Sequence, residues 1–209
     1  MPARSAQSKG YIVPDLGLDR RRRRDDAGVR AHDDTIRSFL TACSERVTAL
    51  VDALPAADGA AAFAHALEHS SPLPFESGWL PALDTLQHVD QTPIGRRFVE
   101  IAPLLPWEPT FRTDDRGADI ALAPLDRTRD LGDLTVGLMY IRPGCTYPLH
   151  SHPPNELYLT VAGQGEWRFG GHDEFRTVGP DAVVYNHPGD LHSAVAGDAP
   201  LVALYVLWD

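Results

Sequence analysis

The segment "GCTYPLHSHPPNELYLTVAG", Gly144 to Gly163, gathers His150, His152, Glu156 and Tyr158 within nine residues. Side chains of a strand alternate faces, so residues two apart point the same way. His150 and His152 therefore share a face, as do Glu156 and Tyr158, while Leu157, Leu159 and Val161 take the opposite, apolar side. Pro153, Pro154 and Asn155 read as a turn that lets the two pairs converge. Imidazole nitrogens and a carboxylate oxygen suit Zn, Fe, Mn, Co or Ni, and such a set needs ligands from more than one element. The further ligand stands in "NHPGDLHS", where His192 follows a Pro-Gly turn and precedes a short β-like stretch. Two histidines at i and i+2, a glutamate at i+6 and a third histidine 40 residues after the second seldom arise by chance. The spacing predicts a divalent transition-metal site of His150, His152, Glu156 and His192.

Such a site must be carried by strands, and the surrounding chain supplies them. Short apolar runs sit between Gly, Pro and Asp clusters at Ile120–Ala123, Leu134–Ile141, Glu156–Ala162, Glu166–Phe169, Phe175–Val178, Ala182–Tyr185 and Leu201–Trp208. Strand-length segments at near-regular spacing predict an all-β sandwich or barrel from about Gly95 onward. Ahead of it, Ile36, Phe39, Leu40, Cys43, Val47, Leu50, Val51 and Leu54 recur at steps of three and four, an amphipathic helix. Asp33 or Asp34 caps it and Pro55 stops it. Further helices are expected at Asp58 to His69, with Phe63 and Leu67 on one face, and at Pro81 to Val89, separated by the Pro-rich loop "SSPLPFESGWLP". The organisation is then a tail over 1–30, a helical region over 31–95 packed on the barrel, and a β-barrel over 96–209. His65, His69 and His88 lack acidic or cysteine partners at ligand spacing and read as surface residues. Cys43 reads as core, and with Cys145 far away in sequence there is no disulfide framework.

Of 209 residues, 43% are apolar and 23% charged, a soluble globular composition. The net charge of −10 excludes nucleic acid as a partner of the main body. Residues 1–30 carry eight basic and four acidic side chains, five of the basic ones in the run Arg20 to Arg24. They read as a solvated, disordered arm, and removing them is expected to leave the melting transition and any activity nearly unchanged. Loss of cooperative melting on truncation would contradict that reading. No run of about 18 apolar residues predicts a membrane span, and the start of the chain lacks the apolar stretch of a secretory leader, so a cytoplasmic location is expected.

The pattern Gly144-x5-His150-x-His152-x3-Glu156-x6-Gly163 matches the first cupin motif at every position. The second motif survives as Gly189-Asp190-Leu191-His192, with His187 where the family usually has proline and Ala196 where it has asparagine. The resemblance implies a double-stranded β-helix, or jelly roll, mainly β with an N-terminal α-helical extension and the metal inside the barrel. More narrowly, "YPLHSHPPNELY" resembles the cupin-type dimethylsulfoniopropionate (DMSP) lyases, which share the order Tyr-x2-His-x-His-x3-Glu-x-Tyr and a helical part before the cupin. This likeness covers about residues 30–209.

The likeness implies a carbon–sulfur lyase that removes the proton alpha to the DMSP carboxylate and expels dimethyl sulfide, leaving acrylate. A divalent metal would spread charge on the carboxylate. Tyr158, two residues from a ligand on the same strand face, is the expected general base. Tyr147 is expected near the barrel mouth, orienting the substrate carboxylate or polarising the metal-bound oxygen. His150 either ligates metal or contacts substrate. Trp167, Trp208, Tyr140 and Tyr185 are available to face the sulfonium. His172, in "GGHDE", reads as exposed, and His187 lies beside the ligand loop. The expected partner is a small anionic or zwitterionic molecule, bound by a monomer or homodimer. The alternatives are another metal-dependent cupin enzyme, a dioxygenase or isomerase, or a non-catalytic small-ligand-binding cupin. A lyase of this kind needs the Tyr158 hydroxyl, whereas the alternatives tolerate Phe there.

Overall fold

The computed structural model describes residues 18–52, 55–78, 92–110 and 119–209, with 18–31 as backbone only. The helices are α1 (Leu18–Leu50), α2 (Ala56–His69) and α3 (Pro93–Ile101). The strands are β1 (Ser71–Pro72), β2 (Glu108–Pro109), β3 (Ile120–Pro124), β4 (Arg129–Asp130), β5 (Thr135–Ile141), β6 (Thr146–His150), β7 (Asn155–Ala162), β8 (Gly165–Arg168), β9 (Arg176–Val178), β10 (Val183–Asn186), β11 (His192–Ala196) and β12 (Leu201–Trp208).

Two antiparallel sheets form the jelly roll. One has the order β10-β7-β12-β5-β3-β2 and the other β6-β11-β8-β9. Period-two alternation sorts the first sheet's side chains. Val136, Leu138, Leu157, Leu159, Val161, Leu204 and Val206 turn outward into a cluster with Ile36, Phe39, Leu40, Phe63 and Phe98 of the helices. Met139, Ile141, Tyr158 and Ala203 turn inward, meeting Tyr147, Trp167 and Ala194 of the second sheet. The central strands are thus covered on both faces, by helices on one side and by the facing sheet on the other. This is why β5 and β7 are buried almost end to end.

The helical part departs from the sequence expectation at three points. α1 begins at Leu18, inside the segment read as a tail, and ends at Leu50, short of Pro55. Its early start agrees with the high helix propensity of the arginine run. Strand texture does not begin at Gly95: α3 occupies Pro93–Ile101. Thr92 caps it by accepting from the Gly95 N–H at 2.9 Å, Pro93 sits in its first turn, and Ile94, Phe98 and Ile101 form its buried stripe. The helix expected at Pro81 to Val89, residues 1–17 of the tail and Leu54 lie outside the described residues. Among the described residues, no helix is long and apolar enough to cross a membrane.

One buried polar link ties helix to barrel. Arg129 is 1% exposed and pairs with Asp33 of α1, while its Nε donates to Ser70 Oγ at 3.0 Å. Removing one partner of a buried pair leaves an uncompensated charge, so Asp33→Ala is expected to lower stability by about 3 kcal/mol. A denaturation midpoint equal to the parent's would show that the link contributes nothing.

Candidate active site at the barrel mouth

Three imidazoles from three places in the chain meet between the sheets. His150 ends β6, His152 follows it in the β6–β7 turn, and His192 opens β11, directly paired with His150. Ring centroids lie 4.1 Å apart for His150–His192, 5.0 Å for His152–His192 and 6.0 Å for His150–His152. Their ligand nitrogens all fall within 4.8 Å of one another.

The backbone decides which nitrogen each ring offers. His150 Nδ1 lies 2.8 Å from the Pro148 carbonyl, His152 Nδ1 3.2 Å from that of Pro154, and His192 Nδ1 2.9 Å from that of Asp190. A carbonyl oxygen only accepts, so each Nδ1 carries the proton, and a neutral ring then keeps its lone pair on Nε2. His192 Nε2 is buried without a hydrogen-bond partner. It lies 3.1 Å from Glu156 Oε2, off the hydrogen-bond angle, while His152 Nε2 lies 3.0 Å from the same oxygen. Lone pairs that face a carboxylate at this range call for positive charge among them. The donor set of imidazole nitrogens and one carboxylate therefore fits a divalent transition metal.

Glu156 is 3% exposed on β7. Burial raises the Glu156 pKa, and positive charge at the His152 and His192 rings would outweigh it and hold the carboxyl down at about 2, the same demand for a cation that their facing lone pairs make. Asn186 of β10, its register partner, adds a third contact, donating from Nδ2 to Oε2 at 3.3 Å. The Asn186 amide cannot turn over. Its Oδ1 accepts from the Gly170 N–H at 3.1 Å, which leaves only the NH2 group to face Glu156.

Tyr158 stands two residues along β7, buried beside the Glu156 carboxylate. Burial first, and then that carboxylate, push the phenol well above its ordinary range. Tyr147 of β6 is buried and packs edge-to-face with His150, ring centroids 4.7 Å apart. A cavity of about 140 Å³ opens here, lined by Tyr147, His150, His152, Glu156, Tyr158 and Tyr205 together with Leu122, Thr135, Met139 and Leu207.

All six residues singled out from the sequence are thus in one place. The aromatics suggested for the sulfonium are not. Tyr140 and Trp208 belong to the outer, helix-facing cluster, and Tyr185 packs against it, its hydroxyl donating to Asn155 Oδ1 at 2.6 Å. Those three sit on the outward parity of their strands, where the helices cover them. Trp167 is inside but packed at a tilt against Tyr158, ring centroids 5.0 Å apart, and does not line the cavity. Tyr205, which sequence reasoning missed, is the aromatic that lines the cavity in their stead. Asn186 was missed as well. Parity along β12 and β10 carried some signal for both, but only the strand register brings them to Tyr158 and Glu156. His172 and His187 are exposed, the latter 3.4 Å from the Tyr185 hydroxyl. His65 and His69 pack on each other on α2 at a tilt, ring centroids 4.4 Å apart, away from the site. Cys43 is buried, and burial pushes its thiol far up.

Comparisons with known proteins point one way. The family model for dimethylsulfoniopropionate lyases matches residues 60–203. The dimethylsulfoniopropionate lyase DddQ of Ruegeria pomeroyi is 30% identical over 122 residues, 53% of this chain and 58% of that protein. The chain therefore matches less than two thirds of this curated relative's length. The crystal structure of DMSP lyase DddQ from the same organism superposes with a TM-score of 0.65 at 23% identity, covering 86% of this chain and 92% of that one. A structure from work on the DMSP lyases RdDddP and RnDddQII gives 0.64 at 17% identity, covering 88% and 93%. The two superpositions establish a shared fold.

Proposed function

The chain belongs to the DMSP lyase family, and on that footing we propose that it cleaves DMSP to dimethyl sulfide and acrylate by β-elimination. The observation that carries this reading is the convergence of the three imidazoles, two of them with Nε2 within 3.1 Å of Glu156 Oε2, next to the buried Tyr158. His150, His152, Glu156 and His192 are the proposed ligands. A divalent transition metal there, Zn, Fe, Mn, Co or Ni, supplies a Lewis acid for the substrate carboxylate and the positive charge that offsets what burial does to the Tyr158 phenol.

The residues of the chain do the rest. Tyr147, wedged against His150 at the mouth, orients the substrate carboxylate. Tyr158, as phenolate, takes the proton from the carbon next to that carboxylate. The released C–H pair becomes the carbon–carbon double bond, the carbon–sulfur bond breaks, and its pair leaves on sulfur as dimethyl sulfide. Cationic sulfur becomes neutral, so charge balances with the proton held on the Tyr158 oxygen. Trp167, Ile141 and Ala203, buried in the same inner cluster as Tyr158, back the site and help keep the reacting carbons out of bulk water.

Anaerobic incubation of metal-loaded protein with DMSP tests the reaction class. The vinyl proton signals of acrylate should appear without oxygen. Turnover that requires oxygen would favour a dioxygenase, and no acrylate under either atmosphere would remove the lyase reading.

A further inference from the structure

β12 turns Leu201, Ala203, Tyr205 and Leu207 toward the barrel interior, and Tyr205 is paired with Tyr158 on one side and Gly137 on the other. A Cβ built on Gly137 would lie 2.2 Å from the Tyr205 hydroxyl oxygen and 2.3 Å from its Cζ. Near-equal distances to both ends of the C–O bond place that point beside the bond, not beyond its tip. The next nearest atom is the Ala123 carbonyl oxygen at 2.8 Å. An edge-on ring would put a Cε closer than either end of the bond, so the ring lies face-on over the Gly137 backbone. Gly137 has no positive φ. What requires glycine there is room for the ring, not backbone conformation.

One face of Tyr205 is thus pressed on β5, and the other is left to line the cavity beside Glu156 and Tyr158. Tyr147 packs edge-on against His150, and Trp167 packs against Tyr158 without lining the cavity. We propose that the open face of Tyr205, held flat by Gly137, is the seat of the substrate's onium cation and so the residue that selects zwitterions over plain carboxylates. The proposal rests on the DMSP reading above. A dispersed sulfonium charge is drawn to the negative face of an aromatic ring, and the attraction strengthens where water is excluded. The ring's hydroxyl is turned to the strand, so the face matters and the hydroxyl does not.

Binding by calorimetry on zinc-loaded protein tests this without turnover. The probes are β-alanine betaine, which carries a quaternary cation three bonds from its carboxyl carbon, and 4-methylpentanoate, which keeps the shape of DMSP with an uncharged carbon in place of the sulfonium. Tyr205→Phe should hold the betaine affinity within about twofold, and Tyr205→Leu should weaken it about tenfold while 4-methylpentanoate changes by less than about twofold. Tyr205→Met serves in its place where the Leu variant loses cooperative melting. Equal loss for both probes would make the ring a plain apolar wall, and no loss for either would seat the cation elsewhere. A parent protein that does not bind the betaine also overturns the subsite. Dimethyl sulfide release is scored separately. Its absence, with the betaine selectivity intact, would overturn the lyase reading and leave the subsite standing.

Discussion

Tyr158→Phe should keep fold and metal content and lose about 10²- to 10⁴-fold in dimethyl sulfide release, the usual contribution of a general base. Only one oxygen is deleted, and the ring keeps its packing against Trp167. Glu156 keeps its contacts with His152, His192 and Asn186, so the ligand cluster should survive the change. Two neighbours compete for the role of base. Glu156 is engaged through Oε2 by three groups, which disfavours it. His150 is the stronger rival, because it lines the cavity and is only partly buried. Comparing Tyr158→Phe with His150→Ala at parental metal content separates the two. A Phe variant that turns over DMSP near the parental rate would pass the role to His150.

The second large effect is on metal. His192→Ala and His152→Ala should each lower metal affinity at least about 100-fold, since even residues that only support ligands contribute about 10- to 100-fold. His192 is the sharper case. Its Nε2 is buried and has no hydrogen-bond partner, so the fold sets aside that nitrogen for something other than a protein donor. Elemental analysis of the dialysed variants reads the outcome. Full occupancy in both would sink the ligand assignment, whatever happened to activity.

The site was legible where chemistry and local spacing coincide. His150, His152, Glu156 and Tyr158 lie within one turn and two strands; parity placed Glu156 and Tyr158 on one face, while His152 reaches His150 from the turn rather than from the strand. The strands β5, β7 and β12 were legible as long apolar runs because both of their faces are covered. β6 was harder to see, since it carries Pro148 and two site residues in five positions. It tolerates the proline because it is the edge strand of its sheet. α3 was hidden by its brevity, and its Thr92–Pro93 start was the readable clue. Tyr205 and Asn186 depended on register. Nothing local says that Tyr205 will pair with Tyr158 and lie on Gly137, or that Asn186 will face Glu156 across two strands 30 residues apart. The aromatics suggested for the sulfonium failed for the same reason. Tyr140, Tyr185 and Trp208 are strand aromatics of the wrong parity, and their burial comes from the helices.

Headspace dimethyl sulfide from purified protein given DMSP tests the central claim most directly, run on metal-loaded parent, chelator-stripped parent and metal-loaded Tyr158→Phe. Dimethyl sulfide should come from the metal-loaded parent, matched mole for mole by acrylate, with the other two samples near background. No dimethyl sulfide from the parent with any of Zn, Fe, Mn, Co or Ni would contradict the claim, and so would equal release from the stripped protein.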